Sequence, residues 1–194
     1  MQTQANPYAI IVAGIPAAGK TTYAKHIASK LKIPLICKDA IKEKLYDVIH
    51  YDTSNRENSK LYGAASYAVF FHVAKCLMKA GVSFVLESNF IPSSADTLLP
   101  LIEEYKYSPL TVLFDAEIKT LHERFCKRDV TDERHPGLIS KSNVFSDLEY
   151  FKNATLPLRD FCVGDKIVVD TTDFSKVDYG DVDRQIEKFI ALLY

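Results

Sequence analysis

A chain of 194 residues, 47% hydrophobic and 25% charged, has the composition of one globular domain with a core of its own. A net charge of −1 speaks against a broad nucleic-acid footprint, which would need a basic face. Cys37, Cys76, Cys126 and Cys162 stand far apart with neither C-x-x-C nor zinc spacing, so they read as small hydrophobes in a reducing, cytoplasmic setting rather than as a disulfide or metal framework. The polar start, Met1 to Asn6, does not read as a signal peptide, and no apolar run is expected to span a bilayer.

The first element is the apolar run Tyr8–Ala13, the pattern of a central parallel strand. A glycine-bearing loop leads into a helix over Lys20–Leu31, which Pro34 ends, and Leu35–Cys37 is a short second strand. A helix starting near Asp39 runs through Val48, and residues 51–58 read as loop. Leu61, Ala65, Ala68, Val69, His72, Val73, Cys76, Leu77 and Ala80 recur at helical spacing up to a stop at Gly81. Val82–Glu87 is the third strand, Ser94–Tyr105 a helix with Leu98, Leu101, Ile102 and Tyr105 inward, and Leu110–Phe114 the fourth strand. A helix over Glu117–Lys127 turns Ile118, Leu121 and Phe125 inward, and the charged stretch 129–137 is expected to be an exposed loop. A helix near Ser146–Asn153, a fifth strand at Ile167–Val169 and a last helix bearing Val182, Ile186, Phe189, Ile190 and Leu193 complete the chain. With no repeat and no linker, this β-then-α alternation predicts a single α/β domain over 1–194, a parallel sheet with helices on both faces.

Gly14-Ile15-Pro16-Ala17-Ala18-Gly19-Lys20-Thr21 fits G-x-x-x-x-G-K-[ST], with Thr22 following, between an apolar strand and an amphipathic helix. Glycines let backbone N–H groups converge on phosphate oxygens, and the helix N-terminus adds partial positive charge. Lys20 supplies a point charge for the outer phosphates and Thr21 a hydroxyl for Mg²⁺. The motif therefore predicts a nucleotide triphosphate, ATP, bound with Mg²⁺. Beyond the second strand stands Lys38-Asp39-x-x-Lys42. Ligands lie past the carboxyl ends of strands in such sheets, so Asp39 is either the acid that takes or orients an attacking hydroxyl or a helix N-cap. Lys42, one turn on, suits an acidic substrate group. Glu87-Ser88-Asn89 closes the third strand, with Glu87 suited to Mg²⁺ through water or to a substrate hydroxyl. Arg124 and Arg128 share one helix face at i, i+4, and Arg134-His135-Pro136-Gly137 follows in the charged loop. Arginine forks match the charge spread over a phosphoryl group in transfer, whereas a cation near a helix C-terminus also simply suits the dipole. His135 reads as a solvated loop histidine, His26, His50, His72 and His122 show no partners in the sequence, and His72 and His122 are expected on helix faces near the core.

These elements in this order resemble the P-loop kinases of the zeta-toxin, chloramphenicol phosphotransferase and polynucleotide-kinase type, along nearly the whole chain. The resemblance rests on Gly14–Thr22, Lys38-Asp39-x-x-Lys42, Glu87-Ser88-Asn89-Phe90, Arg124-x-x-x-Arg128 and Asp170-Thr171-Thr172. It implies a three-layer P-loop fold with strand order 2-3-1-4-5, Asp39 as general base, and a lid of about residues 128–145 that brings Arg124 and Arg128 over ATP. Where polynucleotide kinases of this type carry Arg three residues past the base, this chain has Lys42. Glu87 stands where some relatives have Asp. The implied reaction moves the γ-phosphate of ATP to a hydroxyl, on a small molecule in preference to a nucleic-acid end, with Asp39, Lys42, Glu87, Asn89 and Arg134 at the acceptor and Thr21 and Glu87 at Mg²⁺. A guanine-specific switch would need N-K-x-D, which is absent. An ATPase, or an ATP-binding regulator or toxin-like protein without turnover, is the alternative. Oligomeric state is not legible.

Overall fold

The computed structural model describes residues 6–131, 134–138 and 144–194. Five strands form one parallel sheet: β1 (Tyr8–Gly14), β2 (Leu35–Cys37), β3 (Phe84–Glu87), β4 (Ser108–Asp115) and β5 (Asp165–Asp170). Their order is β2-β3-β1-β4-β5, the 2-3-1-4-5 arrangement expected. β1 is wholly buried, and its alternate residues serve two cores. Ile10 and Val12 join Tyr23, Ile27, Phe114, Phe151 and Ile186 on one face. Ala9, Ile11 and Ala13 join Phe70, Met78, Leu86, Phe90 and Phe161 on the other. That double burial is why the strand reads as a continuous apolar run.

The helices are α1 (Lys20–Leu31), α2 (Lys38–Ile49), α3 (Arg56–Lys79), α4 (Ser94–Tyr105), α5 (Ile118–Asp129), α6 (Leu148–Thr155) and α7 (Tyr179–Ala191). Asn55 caps α3 by accepting hydrogen bonds from the Glu57 and Asn58 amides, so the helix begins inside the stretch expected to be loop. The α3 face also differs from expectation. Ser66, Phe70, Ala74 and Met78 are buried, whereas Leu61, Val69, His72 and Cys76 lie outward. Contrary to the sequence reading, Glu57–Lys79 is long and apolar enough to cross a bilayer by length and mean hydropathy. Phe70, Ala74 and Met78 nonetheless lock it against the sheet as a helix of this domain.

α1 is fixed along its length by α7. Tyr23 Oη donates to Asp183 Oδ1 at 2.8 Å, and His26 Nε2 and Lys30 Nζ reach Asp183 Oδ2 at 2.8 and 2.9 Å. His26 is thus partnered, contrary to expectation. Burial pushes the Asp183 carboxyl up, but the bonds from His26, Lys30 and Tyr23 outweigh it and hold the group below its ordinary range. Asp183→Asn is expected to cost about 2 kcal/mol, a fall of roughly 4–8 °C in Tm near neutral pH. Because the folded-state pKa is depressed, this stability is present above the unfolded value of about 3.9 and vanishes as pH falls through the folded one. The Tm gap between wild type and variant should therefore close in melts below pH 4. A gap unchanged by acid would remove Asp183 as the cause.

Candidate active site

Parallel register brings the carboxyl ends of the strands to one edge: Cys37 pairs with Glu87, Glu87 with Val12, Gly14 with Phe114, and Asp115 with Asp170. The loop from Gly14 to Gly19 turns at that edge. Gly14 takes φ +129, and a Cβ there would stand 1.9 Å from the Phe114 carbonyl oxygen, so only glycine allows β1 to lie this close to β4. Ala17 holds a left-handed φ of +66, a strained value for a residue with a side chain. Gly19, at φ +91, starts α1 beneath the Phe174 ring. Lys20 is 5% exposed and donates to the Ile15 carbonyl oxygen at 2.8 Å. Burial lowers its pKa to about 8, against the opposing pull of Glu87 and Asp39.

Past β2, Asp39 lies inside the first turn of α2 rather than at its N-cap, which is Cys37. The capping alternative is therefore set aside. The Asp39 carboxylate pairs with Lys38 Nζ at 3.0 Å. Burial raises its pKa, but Lys38, Arg134 and Lys20 outweigh burial and hold it ionised below the ordinary range. Glu87 is 4% exposed and accepts a hydrogen bond from Cys37 Sγ at 2.8 Å. Burial and that carboxylate push the thiol up to about 12, so Cys37 stays a protonated donor. Tyr67 of α3 hydrogen-bonds Ser88 Oγ at 2.8 Å and lies beneath Lys38, whose ammonium is 5.3 Å from the ring centre.

The two arginines of α5 diverge. Arg124 sends Nη1 to the Thr171 carbonyl at 2.7 Å and Nη2 to the Thr172 carbonyl at 3.0 Å, and its guanidinium lies 3.9 Å from the centre of the Phe174 ring. Arg128 turns instead toward Asp129, 3.8 Å away, which also faces Arg134 at 3.4 Å. Among the described residues, Arg128 Nε, Arg134 Nε and Asp129 Oδ1 are buried without a hydrogen bond. Two arginines gathered around Asp129 at the cavity wall suit an anion with several oxygens.

One cavity of about 510 Å³ gathers these groups. Pro16, Ala17, Gly19, Lys20, Thr21, Thr22, Asp39, Lys42, Glu87, Asn89, Arg124, Arg128 and Arg134 all line it. Gly14, Ile15 and Ala18 do not. Ile15 and Ala18 are fully buried, and their amides are spent on the Phe114 and Ile15 carbonyls. The family model described as an AAA domain matches residues 10–140, more than half of the chain. The chain belongs to that AAA-domain family. No curated protein matches it. Among solved structures, a candidate kinase from Chloroflexus aurantiacus J-10-fl is 28% identical, with a TM-score of 0.82, covering 98% of this chain and all of that one. A gluconokinase from Sinorhizobium meliloti 1021 is 16% identical, with a TM-score of 0.52 and coverage of 98% and 95%. A shikimate kinase from Bacteroides thetaiotaomicron is 17% identical, with a TM-score of 0.53 and coverage of 96% and 98%. The AAA-domain chain thus has the fold of P-loop kinases.

Ser59, Phe125, Leu138, Phe145 and Phe174 complete the cavity wall of this family member, and Asp129 orders its arginines. Nothing in the pattern of residues around it marks Ser59. Phe174, closely following the Asp170-Thr171-Thr172 run, was the one with a signal. Of the expected lid, 132–133 and 139–143 lie outside the described residues. The part at 134–138 is docked, with Pro136 exposed and its neighbours covered. Gly137 is buried in a 3₁₀ turn, Pro136–Leu138, and its carbonyl accepts from Tyr51 Oη at 3.1 Å. His135, expected to be solvated, bonds Asp47 Oδ1 through Nε2 at 2.9 Å, while its Nδ1 accepts from the Gly137 amide. A Cβ on Gly137 would meet Tyr46 Cβ at 2.6 Å, carbon against carbon on a rigid helix. Gly137→Ala is expected to push the segment off α2 and to lower kcat about 10-fold or more through misplacement of Arg134, with ATP affinity largely kept. Steady-state kinetics with varied ATP would check the split; unchanged kcat would show that the docking is incidental.

Proposed function

We propose that this protein is an ATP-dependent kinase that moves the γ-phosphoryl group to a hydroxyl of a small molecule. The observation that carries this reading is the meeting of Lys20, Asp39, Glu87 and Arg128 at the mouth of one phosphate loop. ATP lays its phosphates on the backbone of the loop from Pro16 to Thr22, with Lys20 against the outer oxygens. Its base lies toward Arg124 and Phe174. The donor set fits Mg²⁺: Thr21 and Glu87 offer hard oxygens, too few to hold the ion without phosphates and water. Bound there, Mg²⁺ would draw charge from the phosphate oxygens during transfer.

The acceptor hydroxyl stands at Asp39. Its oxygen forms a bond to the γ-phosphorus as the bond from that phosphorus to the bridging oxygen breaks, and ADP leaves with the electron pair. The hydroxyl proton passes to Asp39. A carboxylate held below its ordinary pKa is a weak base, so Asp39 orients the hydroxyl throughout and takes its proton late, when the oxygen is already acidic. Arg128 meets the charge on the transferred group.

Incubation of the full chain with γ-labelled ATP, Mg²⁺ and a panel of nucleosides, sugars, sugar acids, antibiotics and 5′-hydroxyl oligonucleotides tests the reading. Label on a small acceptor is expected. Free phosphate alone would make the protein an ATPase, and binding without turnover would make it a nucleotide-dependent regulator.

A further inference from the structure

The cavity has a second half that the nucleotide does not explain. Asp39 and Lys42 of α2, Ser59 of α3, and Asn89, Arg134 and Leu138 contribute to its wall from outside the phosphate loop. Of the carboxylates of the cavity wall among the described residues, Asp39 already pairs with Lys38 and Glu87 accepts from Cys37. Lys42 is half-buried, and among the described residues its ammonium reaches only Ser59 Oγ, at 3.4 Å. No carboxylate lies within ion-pair distance of it there. Burial lowers its pKa, and Lys38 and Arg134 lower it further while Asp39 alone opposes them. A half-buried cation without a counter-ion is costly unless something supplies one.

Arg134 shares this half of the cavity and is held still. Its neighbours His135 and Gly137 are tied to Asp47 and Tyr51 on the α2–α3 side, and Tyr51 is itself stacked on Tyr62 at 3.9 Å between ring centres. A guanidinium on a fixed wall meets an anion without first having to be ordered. Both cations stand within electrostatic reach of Asp39, where the acceptor hydroxyl is placed. A cavity of about 510 Å³, shared with ATP, leaves room only for a compact acceptor.

We propose that the acceptor is a small alcohol that carries a second, anionic group, a carboxylate or a phosphate, bound by Lys42 with Ser59 and by Arg134. The proposal rests on the kinase reading above and names its substrate class. Glu87 and Asn89 then face the polar remainder of the acceptor, and Leu138 closes its far side.

The test compares matched acceptors with the full chain, ATP and Mg²⁺ near pH 7: gluconate against glucitol, glycerate against glycerol, glycerol 3-phosphate against glycerol, and a 5′-hydroxyl oligonucleotide. The acidic member of a pair is expected to exceed the neutral one at least 10-fold in kcat/KM. The carboxylate and phosphate arms tell the two anions apart. Lys42→Met should erase most of that preference by raising KM for the acid, and Lys42→Arg should retain it. Equal or better use of the neutral members, best use of the oligonucleotide, or a preference untouched by Lys42→Met would overturn the proposal. Calorimetry of the same acceptors with a non-hydrolysable ATP analogue reads binding apart from turnover and reports whether each variant is folded. Acids that bind without being phosphorylated would uphold the anion site and sink the kinase reading. Phosphorylation without regard to charge would do the reverse, and no binding by any acid would overturn the anion site.

Discussion

Lys20→Ala is expected to lower kcat/KM for ATP about 10³-fold and to weaken nucleotide binding itself. Lys20 is the one lysine buried within the phosphate loop, and its ammonium is spent only on the Ile15 carbonyl. Losing a pre-placed cation that faces developing phosphate charge costs about 3–4 kcal/mol in comparable sites. The effect has a pH signature. The Lys20 pKa of about 8 means that the charged form, which holds the phosphates, dominates below pH 8 and drains away above it. Apparent ATP affinity of the free protein should fall about 10-fold for each pH unit above 8, as the linkage of one proton demands, until the higher pKa of the ATP-bound state is reached. Saturated turnover, governed by that bound state, should fall only at higher pH. Lys20→Arg should flatten the alkaline limb. ATP affinity that stays constant from pH 7 to 10 in the wild type would remove Lys20 from phosphate binding.

Asp39→Ala is expected to lower transfer by 10²- to 10⁴-fold while sparing ATP binding. Lys38, Arg134 and Lys20 keep the carboxylate ionised in the free protein, so the acid limb of kcat/KM should lie below the ordinary carboxylate range. Asp39→Asn should be nearly as damaging as Asp39→Ala, because the amide retains the shape but takes no proton. A fluorescent ATP analogue measures binding in each variant alongside labelled transfer. Full transfer by Asp39→Ala would remove Asp39 from the mechanism.

How much of this was legible in the sequence depended on whether the relevant physics was local. β1 announced itself because both its faces are buried, which forces an unbroken apolar run. The loop from Gly14 to Thr21 did so because close backbone approach demands glycine. Asp39, Lys42 and Glu87 could be placed at the cavity from the sequence because parallel register carries strand ends to one edge. The orientation of α3 was missed. Its residues are apolar nearly all round, so periodicity gave no direction, and Leu61 and Val69 proved to lie outside. The i, i+4 spacing of Arg124 and Arg128 placed both on the cavity side but said nothing of where each guanidinium ends. Arg124 is taken by carbonyls 47 and 48 residues further on. His135 was read as free because its partner, Asp47, lies 88 residues earlier.

The clamp of Asp183 on α1 bears on where this domain can be cut. The family match stops at residue 140, before β5 and α7. A fragment ending there would keep every residue of the phosphate loop and the whole of α5. It would lose the anchor that holds Tyr23, His26 and Lys30, and with β5 the Thr171 and Thr172 carbonyls that hold Arg124. The helix that opens at Gly19 would then keep its packing on the sheet but lose its polar anchor. The last third of the chain is therefore a splint for the nucleotide site, and the smallest working unit includes α7.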